Sequence, residues 1–122
     1  MNFVEYNDYC RSLPATTYVN QWGGAHVWKV GAKVFAIGSW ATTDGLAVSF
    51  KVSAYNFDVL QDQPGFRPAP YLATRGMKWI QQFAITPDRE DELKYYIKES
   101  HRIVSMGLTK KLQRELGLNL AQ

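Results

Sequence analysis

The chain has 122 residues, of which 46% are hydrophobic, 14% aromatic and 20% charged, with a net charge of +3. This describes one domain, 1–122, with apolar mass for a core rich in Trp, Tyr and Phe, and it excludes a disordered chain. No apolar run approaches the roughly 18 residues of a membrane helix. The single cysteine, Cys10, excludes an intrachain disulfide and a cysteine-based metal site. The N-terminus lacks the basic-then-apolar profile of a secretory signal, so a cytoplasmic protein is expected.

The first helix is predicted from Asn2, which caps it, with Glu5 completing a capping box. Phe3, Tyr6, Cys10 and Leu13 recur at helical spacing, placing Cys10 on the apolar face as a packed thiol, and Pro14 stops the helix. A short strand, Thr17 to Trp22, then runs into Gly23-Gly24.

The clearest hairpin joins residues 27–30 and 33–37 through Gly31-Ala32, for which a type II′ turn is predicted. That register pairs Trp28 with Phe35, putting Trp28, Val30, Phe35 and Ile37 on one face and Val27, Lys29, Val34 and Ala36 on the other. A loop at Ala41 to Gly45 precedes a strand in which Leu46, Val48, Phe50 and Val52 alternate with Ala47, Ser49 and Lys51. Ser53 caps a helix over 53–63, ended by Pro64-Gly65. Phe66 to Tyr71 is predicted to be extended, because prolines at alternate positions exclude helix.

The strand over 77–83 is predicted to set Met77, Trp79 and Phe83 against Lys78, Ile80 and Gln82. Thr86 is the expected cap of a long helix whose inner face is Leu93, Ile97, Ser100 and Val104 and whose end is Gly107. Thr109 caps a last short helix, Lys110 to Leu116, stopped by Gly117.

Chemistry-bearing motifs are sparse. His26 and His101 stand at no metal-ligand spacing with another histidine or a cysteine. No phosphate loop and no Gly-x-Ser-x-Gly occur, and no base–nucleophile–orienter set can be assembled, so no catalytic residue, metal or cofactor is expected. The acidic run Asp88, Glu90, Asp91, Glu92 sits where it compensates a helix dipole.

The basic excess is uneven. Residues 26–82 carry Lys29, Lys33, Lys51, Arg67, Arg75 and Lys78 against Asp44, Asp58 and Asp62. The predicted alternation gathers Lys29, Lys51 and Lys78 on the face opposite the core, with Val27, Val34, Ala36, Ala47, Ser49, Ile80 and Gln82. Such a face admits a phosphate backbone, and it equally suits a packed helix with lysine stems covering apolar surface. Arg67 and Arg75 bracket a proline-stiffened segment, where Arg67 either grips an anion in a fork or ties the segment to its own domain.

The chain resembles the MmcQ/YjbR family of small bacterial proteins. The resembling residues are Tyr9-Cys10-x-Ser12-Leu13-Pro14, Trp28-Lys29-Val30-Gly31-x-Lys33-Val34-Phe35-Ala36, and Gly65-Phe66-Arg67-Pro68-Ala69-Pro70-Tyr71-Leu72. Trp79, Glu92-Leu93 to Glu99-Ser100, and Leu108-Thr109-Lys110-Lys111 follow. The resemblance implies an α+β fold of CyaY-like, double-wing type, an antiparallel sheet packed against N- and C-terminal helices. It also implies DNA binding through wing-like hairpins, without enzyme activity. Two departures stand out: Thr74-Arg75-Gly76-Met77-Lys78-Trp79 replaces the family's Lys-Arg-His-Trp, and Tyr18, Val19 and Asn20 stand where an acid is common.

Three functions follow as expectations. The first is a sequence-tolerant, non-enzymatic DNA-binding domain whose phosphate contacts are Lys29, Lys33, Lys51, Arg67, Arg75 and Lys78. The second is a protein- or small-ligand-interaction module anchored on Trp22, Trp40, Tyr71 and Trp79. The third is an enzyme using His26. A contiguous positive surface favours the first, a deep aromatic uncharged pocket the second, and His26 beside a carboxylate in a cleft the third.

Overall fold

Helix α1 (Phe3–Ser12) starts as predicted. The Asn2 side chain accepts a hydrogen bond from Glu5 N, and the Glu5 carboxylate accepts one from Asn2 N. Tyr6 and Cys10 on its inner face are fully buried. The computed structural model describes residues 1–40 and 45–118; the predicted loop at 41–44 and the side chain of Trp40 lie outside the described residues.

Strands β1 (Thr16–Gln21), β2 (Ala25–Val30), β3 (Lys33–Trp40) and β4 (Leu46–Lys51) follow in sequence. After helix α2 (Ala54–Leu60) come β5 (Phe66–Pro68) and β6 (Trp79–Gln82). They form one sheet in the order β1-β2-β3-β4-β6-β5, every neighbouring pair antiparallel. Helix α3 (Glu90–Met106) packs on one face, contacting β2, β3 and β4. Helix α4 (Lys110–Glu115) closes the chain, capped by the Thr109 side chain, which accepts from Leu112 N. The core between sheet and helices holds Tyr6, Trp28, Val30, Phe35, Phe50, Ile80, Leu93 and Ile97. Each aliphatic or aromatic side chain buried there contributes about 1.5–3 kcal/mol.

The β2–β3 hairpin corrects two expectations. Gly31 and Ala32 have φ of +56° and +67°, so both central residues are left-handed, as a type I′ turn requires and type II′ does not. The I′ backbone follows the right-handed twist of the strands, and here it is formed although Ala32 is a poor residue for that region. The turn is also packed: a Cβ on Gly31 would sit 2.7 Å from Leu108 Cδ1.

A bulge at Phe35 is the second correction. Val30 pairs with Lys33 and Lys29 with Val34 as predicted, but Trp28 pairs with Ala36 rather than Phe35. Phe35 and Ala36 therefore both enter the core, and Ile37 moves to the opposite face. Ser100 on α3 binds this irregular backbone. Its hydroxyl donates to Phe35 O at 2.6 Å and accepts from Lys51 N at 2.8 Å, fully buried.

In β6 the alternation runs in the opposite phase to the predicted one. Phe50 pairs with Ile80 and Lys51 with Trp79, so Ile80 and Gln82 face the core helices while Trp79 and Gln81 share the other face with Ser49 and Lys51. Residues 69–71 depart from the extended form: Tyr71 has φ of +68°, and a 3₁₀ turn spans Ala73–Arg75. Thr86 does not cap backbone; its hydroxyl bonds to the Asp88 carboxylate, and a 3₁₀ turn, Pro87–Arg89, leads into α3. That bond holds the Asp88 carboxyl below its ordinary range.

Candidate functional site

The sheet face away from α3 has a floor of small and polar side chains. One cross-strand row runs Val27, Ile37, Ser49, Gln81, Arg67, set by the pairs Val27↔Ile37, Ile37↔Ser49, Ser49↔Gln81 and Arg67↔Gln81. The β5–β6 connection, residues 69–78, closes over this row. It is held by its own backbone: Ala73 N donates to Ala69 O at 3.0 Å and Met77 N to Leu72 O at 3.3 Å. Pro70, Tyr71, Leu72 and Arg75 of this loop enclose, with Trp22, Ala25, Ile37, Ser39, Ser49, Arg67 and Gln81, a cavity of about 710 Å³. A second cavity of about 400 Å³ shares Trp22, Ile37 and Leu72 with it, is lined also by Lys33, Val34, Lys51, Met77 and Trp79, and reaches Ile103, Val104 and Gly107 at the C-terminal end of α3. The flat, open lysine face expected from the alternation is thus a groove with a lid.

Four cations line it: Lys33 and Lys51 in the smaller cavity, Arg67 and Arg75 in the larger. Among the described residues no carboxylate lines either cavity and none of the four forms an ion pair. Their field is therefore uncompensated and, against a partly apolar wall, less screened than on open surface. Arg67 is held in place: Nε donates to Gln81 Oε1 at 2.7 Å, and the guanidinium lies 5.3 Å from the Phe83 ring centre. Its terminal nitrogens have no partner among the described residues, so the open end of the fork is free for an anion. Lys29 stands opposite Val34 on the same side of the sheet. Lys78 does not belong to the groove, because its ammonium sits 4.8 Å over the Phe57 ring, towards α2.

Two large aromatics stand at the rim. Trp22, in the β1–β2 turn, is 63% exposed and Tyr71, on the lid loop, 85%. Both have left-handed backbone, φ +53° and +68°, which costs about 1–2 kcal/mol for a residue with a Cβ. Glycine would remove that strain, and glycines do follow at 23 and 24, where an added Cβ would meet nothing within 4 Å. Two strained, solvent-facing aromatics on one groove mark a place where display outweighs local stability. Trp79 of the alternative set is buried, and its indole N–H has no acceptor among the described residues.

The sequence grouped the cations and the aromatics as rival surfaces; Lys33, Lys51, Arg67, Arg75, Trp22, Tyr71 and Trp79 line one groove instead. Ile37, Ser39, Leu72 and Gln81 were missed, and only the pairing of β6 with β4 identifies Gln81 rather than Gln82.

The histidines lie elsewhere. His26 Nδ1 is 2.8 Å from Tyr18 Oη and 3.3 Å from Asn7 Nδ2, and it lines neither cavity. Asn7 Oδ1 accepts from Trp28 Nε1, which directs its Nδ2–H towards His26. Among the described residues no carboxylate bonds to His26. His101 is buried, its Nε2–H donating to Pro14 O at 2.8 Å, and burial pushes its pKa below the ordinary value. Burial pushes the Cys10 thiol up to about 12. Among the described residues no group of three or more His, Cys, Asp or Glu could hold a metal, and no helix is long and apolar enough to cross a membrane.

A six-stranded antiparallel sheet packed against helices is an α+β architecture. The crystal structure of Deinococcus radiodurans protein DR2400, described as carrying the DUF419 domain, superposes with a TM-score of 0.82. That likeness covers 99% of this chain and 91% of that one at 22% identity, and so concerns the fold. The YjbR family model matches residues 11–103, and the chain belongs to that family. Comparison with curated proteins gave no match.

Proposed function

We propose that the protein is a non-enzymatic DNA-binding domain and that the lidded groove is its contact surface. The observation that carries this reading is the set Lys33, Lys51, Arg67 and Arg75, which lines two adjoining cavities with no carboxylate beside it among the described residues. Cations without internal partners are matched by a polyanion, and phosphates neutralised by them release condensed counterions. The floor offers Ser39, Ser49 and Gln81, groups that hydrogen-bond without demanding one base, in keeping with sequence-tolerant binding.

Fluorescence anisotropy of labelled oligonucleotides tests the reading. Binding at low salt that weakens steeply as salt rises is the expected result. Absence of binding at tens of micromolar protein and low salt overturns it.

A second reading, a small-ligand or protein-interaction module, draws on the size of the larger, half-open cavity and the exposed Trp22 and Tyr71. Saturable binding of a peptide or small molecule with no salt dependence would favour it.

A further inference from the structure

We propose that the groove takes single-stranded rather than duplex DNA, with bases stacked on Trp22 and Tyr71 and phosphates held by Lys33, Lys51, Arg67 and Arg75. The inference rests on the DNA-binding reading and specifies the form of the nucleic acid.

Charge alone does not distinguish the two forms, since both carry phosphates. The aromatics do. In a duplex the base faces are stacked on one another and offer an indole or phenol nothing except at the ends. An unpaired strand offers a π-face at every base, and aromatic platforms beside a basic track are how such strands are held without sequence preference. Trp22 and Tyr71 are amphipathic and open to solvent, one on the β1–β2 turn and one on the β5–β6 loop. They line the same cavity as the Arg67 and Arg75 guanidinium groups.

The lid supports the same choice. A loop bonded to itself along one side of the sheet floor leaves a half-open cleft rather than a platform, and a cleft admits a single strand edge-on more readily than a duplex. The backbone strain fits as well. Left-handed φ at both positions would be relieved by glycine, so the aromatic side chains are kept against the local preference.

The strain also supplies the test. Trp22→Gly and Tyr71→Gly remove the aromatic and relieve the backbone, and the circular dichroism spectrum of each variant separates loss of binding from loss of fold. Anisotropy at one low salt concentration is measured with a labelled thymidine oligonucleotide, its duplex, and an abasic strand of equal length. The single strand is expected to bind at least tenfold more tightly than the duplex or the abasic strand. Each glycine variant is expected to lose about tenfold or more for the single strand. For each variant the fold-loss in duplex affinity is expected to be smaller than the fold-loss for the single strand, with the native circular dichroism spectrum retained. Equal affinity for single strand and duplex, or for thymidine and abasic strands, overturns the inference while leaving DNA binding intact. No binding of any probe overturns the underlying reading as well.

Discussion

Raising monovalent salt from 50 to 200 mM is the perturbation whose size follows most directly from the groove. Four cations line it and have no ion-pair partner among the described residues. For a single strand the logarithm of affinity falls by about 0.7 per decade of salt for each phosphate neutralised, so four contacts give a slope of about −2.8. Over the fourfold salt change this is a loss of about fifty-fold. The assay is anisotropy of a labelled single strand at several salt concentrations. Lys33→Gln with Arg75→Gln removes two contacts without disturbing the Arg67–Gln81 bond, and lowers the slope to about −1.4. Lys78→Gln is the control, because its ammonium lies over Phe57 outside the groove, and the slope stays at the starting value. A slope that ignores the double variant, or that falls equally with Lys78→Gln, refutes the placement of the phosphates.

Three further outcomes concern the scaffold. Ser100→Ala leaves Phe35 O and Lys51 N without their buried partner, and at about 1–3 kcal/mol for each unsatisfied group the variant is destabilised by several kcal/mol in urea unfolding. His101 has a folded pKa below its unfolded value near 6.5, so its contribution is fully present above that pH and is lost as pH falls towards the folded pKa. Comparing wild-type and His101→Gln melting from pH 7 to 5 is expected to show a smaller acid-side fall in the variant. Cys10, its thiol pushed up to about 12 in the core, is expected to resist alkylation at pH 8 until denaturant is added.

Local chemistry made much of the fold readable. The Asn2–Glu5 capping box, the Thr109 cap and the alternation of β4 are decided by residues a few positions apart, and each forms as predicted. What failed depends on distant partners. Phe35-Ala36 reads as ordinary alternation until Ser100 accepts the bulged geometry by taking up Phe35 O. Trp79-Ile80 is an adjacent apolar pair with no internal phase; the phase comes from Phe50, which pairs with Ile80 and turns Trp79 outward. Lys78 was misplaced by the same error. Tyr71 follows two prolines that signal extended chain, yet it reverses the path and brings the loop over the sheet. Hence Lys33, Lys51, Arg67 and Arg75 were legible as cations of interest, whereas their union with Trp22 and Tyr71 in one groove was not.

The most direct test of the central claim is a ¹⁵N NMR titration of the protein with a short single-stranded oligonucleotide, reading backbone, indole and guanidinium signals together. Shifts confined to Trp22, Lys33, Lys51, Arg67, Tyr71, Arg75 and Gln81 with the neighbouring floor of the sheet are the predicted result. Shifts concentrated on α2 and Lys78, or on Tyr18 and His26, with the groove silent, would contradict it.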